Sequence, residues 1–225
     1  MRKKQKAIVL HSGGLDSTTC LYWALKRGYE CISLNITYGQ KHKKEIECAK
    51  KICKKLKVKM IEVNLNLPWL KDATSLVGKK LVIPNESLDT IKNLGRLPNT
   101  YVPARNLIFA SIAASLADSI GANAIIIGAN SVDYSGYPDC RPRFYTPLER
   151  TIHEGTRAAL GGQNIEILTP LLKLSKAQIA QLAYALGVPV GETWSCYRGG
   201  KTPCGKCDAC RLREQGFKQA HLEDK

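Results

Sequence analysis

Short apolar runs alternate along this chain with segments whose apolar residues recur every three or four positions, and that alternation sets the expected architecture. Residues 7–11, Ala-Ile-Val-Leu-His, are an apolar run ending in Ser-Gly-Gly, the pattern of a buried strand that feeds a tight turn. From 17 to 27 the spacing is helical, with Leu21, Ala24 and Leu25 on one face and Gly28 as a stop. Residues 31–38 read as a second strand. Residues 42–56 read as a helix with Ile46, Ala49, Cys53 and Leu56 on its inner face, and 58–63 as a third strand. A strongly apolar helix over 104–120 closes at Gly121, and 124–128, Ala-Ile-Ile-Ile-Gly, is the clearest parallel strand. A last strand at 165–168 precedes a helix over 175–186 that Gly187 ends.

Strand and helix in alternation predict an α/β fold, a Rossmann-like parallel sheet with helices on both faces. Such sheets bind ligands beyond the carboxyl ends of their strands, so chemistry is expected in the loops after His11, Tyr38 and Gly128. Residues 65–103 show no periodicity and hold Pro68, Pro84, Pro98 and Pro103; they read as an insertion or lid with at most short elements. A boundary near Thr193 separates an expected sheet domain, 1–192, from a cysteine-bearing C-terminal unit, 193–225.

Composition narrows the class. The 225 residues carry 34 Lys and Arg against 19 Asp and Glu, a formal charge of +15. Hydrophobic residues are 44% and charged residues 24%, enough apolar surface for a packed core, which excludes a disordered chain. No apolar run reaches the roughly 20 residues of a membrane helix. The basic start leads into only a short apolar stretch, less than the roughly 7–15 residues of a signal-peptide core, so a cytoplasmic protein is expected. Nine lysines crowd positions 41–59. They read either as a nucleic-acid surface or as the solvated side of a helix whose apolar stripe packs on the sheet. No aromatics interleave with them, which favours the second reading, and direct nucleic-acid binding is not expected.

The sharpest motif is the turn Ser12-Gly13-Gly14-Leu15-Asp16-Ser17-Thr18-Thr19, between the first strand and the first helix. Two glycines let the backbone turn tightly and approach an anion with no Cβ in the way. The amides and positive dipole end of the following helix favour phosphate, and the hydroxyls of Ser12, Ser17, Thr18 and Thr19 offer further donors. A Walker A loop is absent: Gly200-Lys201-Thr202 comes nearest, but Ser195 stands where its first glycine belongs. The dinucleotide fingerprint is absent too.

Of nine cysteines, Cys20, Cys31, Cys48, Cys53 and Cys140 are scattered and read as small core hydrophobes. The other four, Cys196, Cys204, Cys207 and Cys210, crowd a polar tail. Four thiolates suit one tetrahedral zinc, which would cross-link a segment short of apolar residues. Lys201, Arg198, Lys206, Arg211 and Arg213 would partly offset the charge of such a centre. An iron–sulfur cluster is the alternative, because C-x2-C-x2-C is also a ferredoxin spacing. Here Arg211 and Leu212 follow Cys210, without the ferredoxin's fourth cysteine and proline.

Ser-Gly-Gly-x-Asp-Ser after a first strand resembles the pyrophosphate loop of the ATP pyrophosphatases. Three further stretches narrow the resemblance: Tyr101-Val-Pro-Ala-Arg-Asn106; the run from Gly128 to Arg141; and Trp194-Ser-Cys-Tyr197 with Cys204-Gly-Lys-Cys-Asp-Ala-Cys210. Together these are similar to the 7-cyano-7-deazaguanine synthase family of queuosine and archaeosine biosynthesis, over nearly the whole chain. The resemblance implies an adenine nucleotide alpha hydrolase-like fold over 1–192, a zinc unit at 193–225, and an ATP-dependent ligase. It would take 7-carboxy-7-deazaguanine and ammonia through adenylate and amide intermediates, with Mg2+ bridging the phosphates, and as a homodimer.

The expected ATP site is His11, Ser12, Gly13, Gly14, Leu15, Asp16, Ser17, Thr18 and Thr19. Asp16 reads either as a residue near magnesium or as a helix cap. Arg105 would pair with phosphate or the substrate carboxylate, or stand on the surface. Asp133, Tyr134, Tyr137, Asp139 and Arg141 mix aromatic faces, carboxylates and a guanidinium suited to a flat base bearing a carboxylate. Cys140 invites a nucleophile reading, but adenylation needs no thiol, so packing is expected. The chain begins its sheet at residue 7, so free ammonia is expected in place of a glutaminase. The rivals are a pyrophosphatase that modifies tRNA directly and a zinc-binding nucleic-acid module without catalysis.

Overall fold

The computed structural model describes residues 4–41, 43–78, 80–88, 90, 97–130 and 137–225. Strand β1 (Lys6–Leu10) leads through the glycine turn into helix α1 (Leu15–Lys26). Then come β2 (Glu30–Thr37), α2 (Lys44–Leu56) and β3 (Lys59–Asn64). After the proline-bearing stretch follow α3 (Arg105–Ile120), β4 (Ala124–Ile126) and α4 (Pro142–Glu154). The chain ends with β5 (Glu166–Leu168), α5 (Lys176–Ala185) and α6 (Asp208–Ala220). The five strands form one parallel sheet in the order β3-β2-β1-β4-β5. The expected parallel α/β sheet is therefore present, and its strand order reverses between β1 and β4, where open sheets of this kind form their crevice.

Period-two alternation sorts the strands into two cores. Ala7 and Val9 of β1, Cys31 of β2 and Ala124 and Ile126 of β4 face α1, α2, α5 and α6, in a cluster that includes Leu21, Ile52 and Ile179. Ile8, Leu34, Ile36 and Ile125 face the other way, against Ala110, Ala113 and Ala117 of α3 and Tyr145, Leu148 and Ile152 of α4. Alanine on the inner stripe of α3 lets that helix lie close to the sheet. On α2, Ala49, Ile52 and Cys53 are buried while Lys50, Lys51, Lys54 and Lys55 are exposed. That is the amphipathic division its spacing predicts.

Two helices go beyond the pattern-based expectation. Helix α4 has a three-residue apolar stripe, and Pro147 interrupts its interior, which masks the helical spacing. Helix α6 lies in the tail read as almost free of apolar residues. Phe217 and Ala220 nevertheless join the core beside α1 and α5. A Cβ on Gly216 would stand 2.8 Å from the Lys176 Cβ, so this glycine permits the close approach of α6 to α5. In the stretch 65–103, the described residues include a 3-10 turn, Pro68–Lys71. Leu70, Leu76 and Val102 bury themselves with Tyr38 from the end of β2. Ser75 is held by the Asn99 carbonyl and amide side chain, so this part of the stretch is packed onto the sheet edge.

Candidate active site

The glycine turn is shaped from outside. Gly13 has φ +98°, and a Cβ there would meet the Glu45 carbonyl oxygen of α2 at 2.1 Å. Gly14 has an ordinary φ of −76° and stands as the N-cap of α1, with no side-chain cap. The amides of the first turn of α1 therefore face outward without a competing side-chain acceptor from the cap. Ser12 and Ser17 brace the turn: their hydroxyls lie 3.1 Å apart, Ser17 Oγ donates to the Gly14 carbonyl, and Gly14 N donates to Ser12 Oγ. Gly128 closes the opposite wall, where a Cβ would sit 3.3 Å from Ser17 N. Strand β4 thus ends against the start of α1.

Beneath the turn lies a buried polar cluster. The His11 ring is 1% exposed and bridges Ser33 Oγ of β2, at 3.0 Å, and Thr18 Oγ1 of α1, at 3.1 Å. Cys53 Sγ of α2 is 3.6 Å from its Nδ1. Burial lowers its pKa to about 4, so the ring is neutral at neutral pH. Asn35 donates to the His11 carbonyl and reaches the Ser12 carbonyl. Thr18 and Thr19 are fully buried, and Thr19 Oγ1 donates to the Leu15 carbonyl. Their hydroxyls, which the sequence reading offers as further phosphate donors, are thus engaged inside the fold. His11 and Leu15 likewise turn their side chains into the fold, and support the turn from below.

Asp16 is in the first turn of α1; Gly14 holds the cap position, so the cap reading of Asp16 is corrected. Its Oδ2 accepts from Lys176 Nζ at 2.6 Å and from Asn130 Nδ2 at 2.9 Å. Lys176 opens α5, where Ser175 and Gln178 form a capping box. Three loops of the sheet edge, after β1, β4 and β5, therefore converge on one carboxylate oxygen. Asp16, Ser12, Ser17 and Lys176 all line a cavity of about 280 Å³.

The same cavity reaches Arg105 at the start of α3. Burial works against the Arg105 charge, but the Tyr38 hydroxyl, with Cys140 and Tyr137, outweighs it and holds the guanidinium firmly protonated. Leu76, Phe109 and Tyr197 add apolar and aromatic walls there. Asp139 serves the backbone instead: its Oδ2 accepts from Asn106 N at 3.0 Å, which caps the start of α3. Asn106 Nδ2 donates in turn to the Asp139 carbonyl and to Cys140 Sγ. Cys140 is 2% exposed and packed in the second core, with one side on the cavity. Tyr137 bonds Thr100 Oγ1 and stacks on Tyr101, and Arg141 is the N-cap residue of α4. Asp133 and Tyr134 lie outside the described residues.

The four tail cysteines meet, with all four Sγ atoms within 4.8 Å of one another. Cys207 and Cys210 sulfurs are 3.5 Å apart, and Cys204 and Cys210 4.0 Å. Zinc–sulfur bonds of about 2.3 Å in a tetrahedron put sulfurs about 3.8 Å apart, so the quartet fits one zinc ion. A multi-iron cluster attaches thiolates to different irons and spreads them wider. Of the cations expected to offset this centre, Arg213 is committed elsewhere, in a bidentate pair with Asp224 at 2.6 and 2.7 Å.

Lys176, Ser195 and Tyr197 line the cavity and Asn130 bonds Asp16, although the sequence reading names none of the four as a candidate. Lys176 follows the carboxyl end of a predicted strand, so the rule that located the other loops would have found it. Ser195 and Tyr197 lie in a stretch that carries the family resemblance, but only the path of the tail brings them to the cavity.

A family model described as "Queuosine biosynthesis protein QueC" matches residues 6–221. The chain is 47% identical over 220 residues to 7-cyano-7-deazaguanine synthase 2 of Desulfitobacterium hafniense (strain Y51), covering 98% of this chain and 91% of that protein. It is 49% identical over 222 residues to the 7-cyano-7-deazaguanine synthase of Leptospira interrogans (strain Fiocruz L1-130), covering 98% and 89%. Among solved structures, the NMN synthetase of Francisella tularensis superposes with a TM-score of 0.53 at 14% identity, over 99% of this chain and 79% of that one. That last likeness is one of fold.

Proposed function

The chain belongs to the Queuosine biosynthesis protein QueC family, and from that premise we propose that it is a 7-cyano-7-deazaguanine synthase. It converts 7-carboxy-7-deazaguanine and ammonia to the nitrile at the expense of ATP. A carboxylate is a poor electrophile because oxide is a poor leaving group, and adenylation removes that obstacle. The carboxylate oxygen attacks the α-phosphorus of ATP, and pyrophosphate leaves. Ammonia adds to the acyl carbon, loses a proton and displaces AMP, which gives the amide. The amide oxygen then attacks the α-phosphorus of a second ATP. Loss of pyrophosphate, AMP and the two remaining nitrogen protons leaves the carbon–nitrogen triple bond.

The observation that carries this reading is the shared cavity, which both the open start of α1 and Arg105 line. We assign residues 11–19 as the ATP-binding turn. Within it, the backbone of Ser12–Ser17 holds phosphate, the Ser12 and Ser17 hydroxyls brace the turn, and His11, Leu15, Thr18 and Thr19 support it from inside. Lys176 stands beside Asp16, where the charge of departing pyrophosphate collects, and a fixed cation there favours its release. Arg105 is the guanidinium for the substrate carboxylate, with Phe109 and Tyr197 flanking a flat base. Magnesium fits the carboxylates of Asp16 and Glu45 on the cavity wall; it would neutralise phosphate charge. Asp16 Oδ2 also accepts from Lys176 and Asn130, which fixes the carboxylate. Residues 193–225 serve as the zinc unit. The protein works as a cytoplasmic homodimer; light scattering at working concentration tests the assembly.

Mass spectrometry after incubation with 7-carboxy-7-deazaguanine, ammonium and Mg-ATP tests the reaction. The nitrile, AMP and pyrophosphate are expected. Folded, metal-loaded protein that makes no nitrile overturns the reading, and modification of polynucleotide without turnover of the free base would favour a tRNA-acting enzyme.

A further inference from the structure

Trp194 joins two features that are far apart in sequence. Its backbone N donates to the Gly13 carbonyl at 3.0 Å, and its own carbonyl would lie 3.3 Å from a Cβ on Gly14. The opposite side of Gly13 is pressed on the backbone of α2. The double-glycine peptide therefore sits in a slot, with α2 as one wall and Trp194 as the other. Trp194 is 6% exposed and packs in one cluster with Cys196, Cys207 and Cys210, while its Nε1 donates to the Cys196 carbonyl at 2.9 Å. Lys44 Nζ of α2 lies 4.6 Å from the ring centroid, a cation–π contact.

The flanking residues alternate in role. The hydroxyls of Thr193 and Ser195 accept from the Arg213 guanidinium, which is locked to Asp224. Ser195 and Tyr197 face the cavity. Cys196, between them, is one of the four sulfur ligands. Residues 193–197 are thus a strap with the phosphate turn at one point and the metal cluster two residues on.

We infer that this strap makes metal loading a determinant of nucleotide affinity, with Trp194 as the positioning residue for the phosphate turn. Two extended residues span no more than about 7 Å, so there is little slack between the Cys196 sulfur ligand and the Gly13 hydrogen bond. Without the ion, the cluster loses its cross-link and Trp194 loses the frame behind its ring. The turn then keeps its α2 wall and loses the other.

The inference rests on the ATP-binding reading of the turn, and the experiment separates the two. In a Trp23→Phe/Trp69→Phe background, Trp194 is the sole tryptophan reporter. The metal is removed with a chelator, the chelator is removed by gel filtration, and Mg-ATP binding is measured by calorimetry with far-UV circular dichroism on the same samples. Metal removal is expected to shift Trp194 emission to the red and raise the ATP Kd at least tenfold with the sheet signal retained; added zinc reverses both. An unchanged ATP Kd in metal-free, folded protein overturns the inference. Loaded protein that binds no ATP overturns the functional reading instead. If metal-free protein unfolds, Trp194→Ala in the loaded state decides: a Kd raised at least fivefold with full zinc content is expected, Trp194→Phe should recover most of it, and wild-type affinity in Trp194→Ala sinks the proposal.

Discussion

A methyl group on Gly13 and one on Gly14 face different surroundings. At Gly13 it meets the α2 backbone at 2.1 Å with φ at +98°; at Gly14 the nearest atom is Glu45 Oε1 at 3.2 Å, the end of a flexible side chain. Gly13→Ala is therefore expected to cost at least about 1–3 kcal/mol from backbone strain, in addition to displacing α2, and to abolish ATP binding. Gly14→Ala should lose much less stability in urea unfolding. Equal stability of the two variants would refute the slot geometry. His11 gives a pH signature. Its folded pKa of about 4 lies below the ordinary 6.5, so the unfolded chain takes up a proton that the folded chain refuses. Stability is complete above about pH 6.5 and falls as pH drops toward 4, by about 3 kcal/mol in all. The wild-type minus His11→Gln difference in unfolding free energy between pH 7 and 4.5 should show that slope.

Among elements, the chemistry depends on helix starts. Helix α5 brings Lys176 to the Asp16 carboxylate of α1, so Lys176→Ala is expected to lower kcat for nitrile formation about 100-fold while the fold is kept. A variant with wild-type kcat would remove Lys176 from the reaction. Asp139 makes the contrasting case. It caps α3 and does not face the cavity, so Asp139→Ala should cost about 1 kcal/mol of stability, and the molecules still folded should turn over substrate. A carboxylate near a strand end has the same sequence signature whether it meets ligand or a helix terminus, and the contact of Asp139 with the start of α3 is visible only in the folded chain.

Across the whole molecule, the tail is continuous with the catalytic sheet: Phe217 and Ala220 of α6 enter the core that holds β1, and Trp194 touches the phosphate turn. Metal analysis should find one zinc per chain, and Cys207→Ser should lower both zinc content and thermal stability; an unaffected melting temperature would contradict a cross-linking role. The alternating sheet, the glycine turn and the four-cysteine set were legible from sequence because each is written in neighbouring residues: apolar periodicity, two adjacent glycines, three cysteines in seven positions. Helix α4 was hidden by Pro147, and α6 by an apolar stripe too thin to register, since its burial comes from close approach at Gly216 to another helix. The convergence of Lys176 and Asn130 on Asp16, the inward turn of Thr18 and Thr19, and the slot around Gly13 were decided by tertiary structure. The first and last depend on contacts between residues far apart in the chain, and the threonines turn inward because α1 packs that face on the sheet; helix packing on two faces of one sheet sets all these directions.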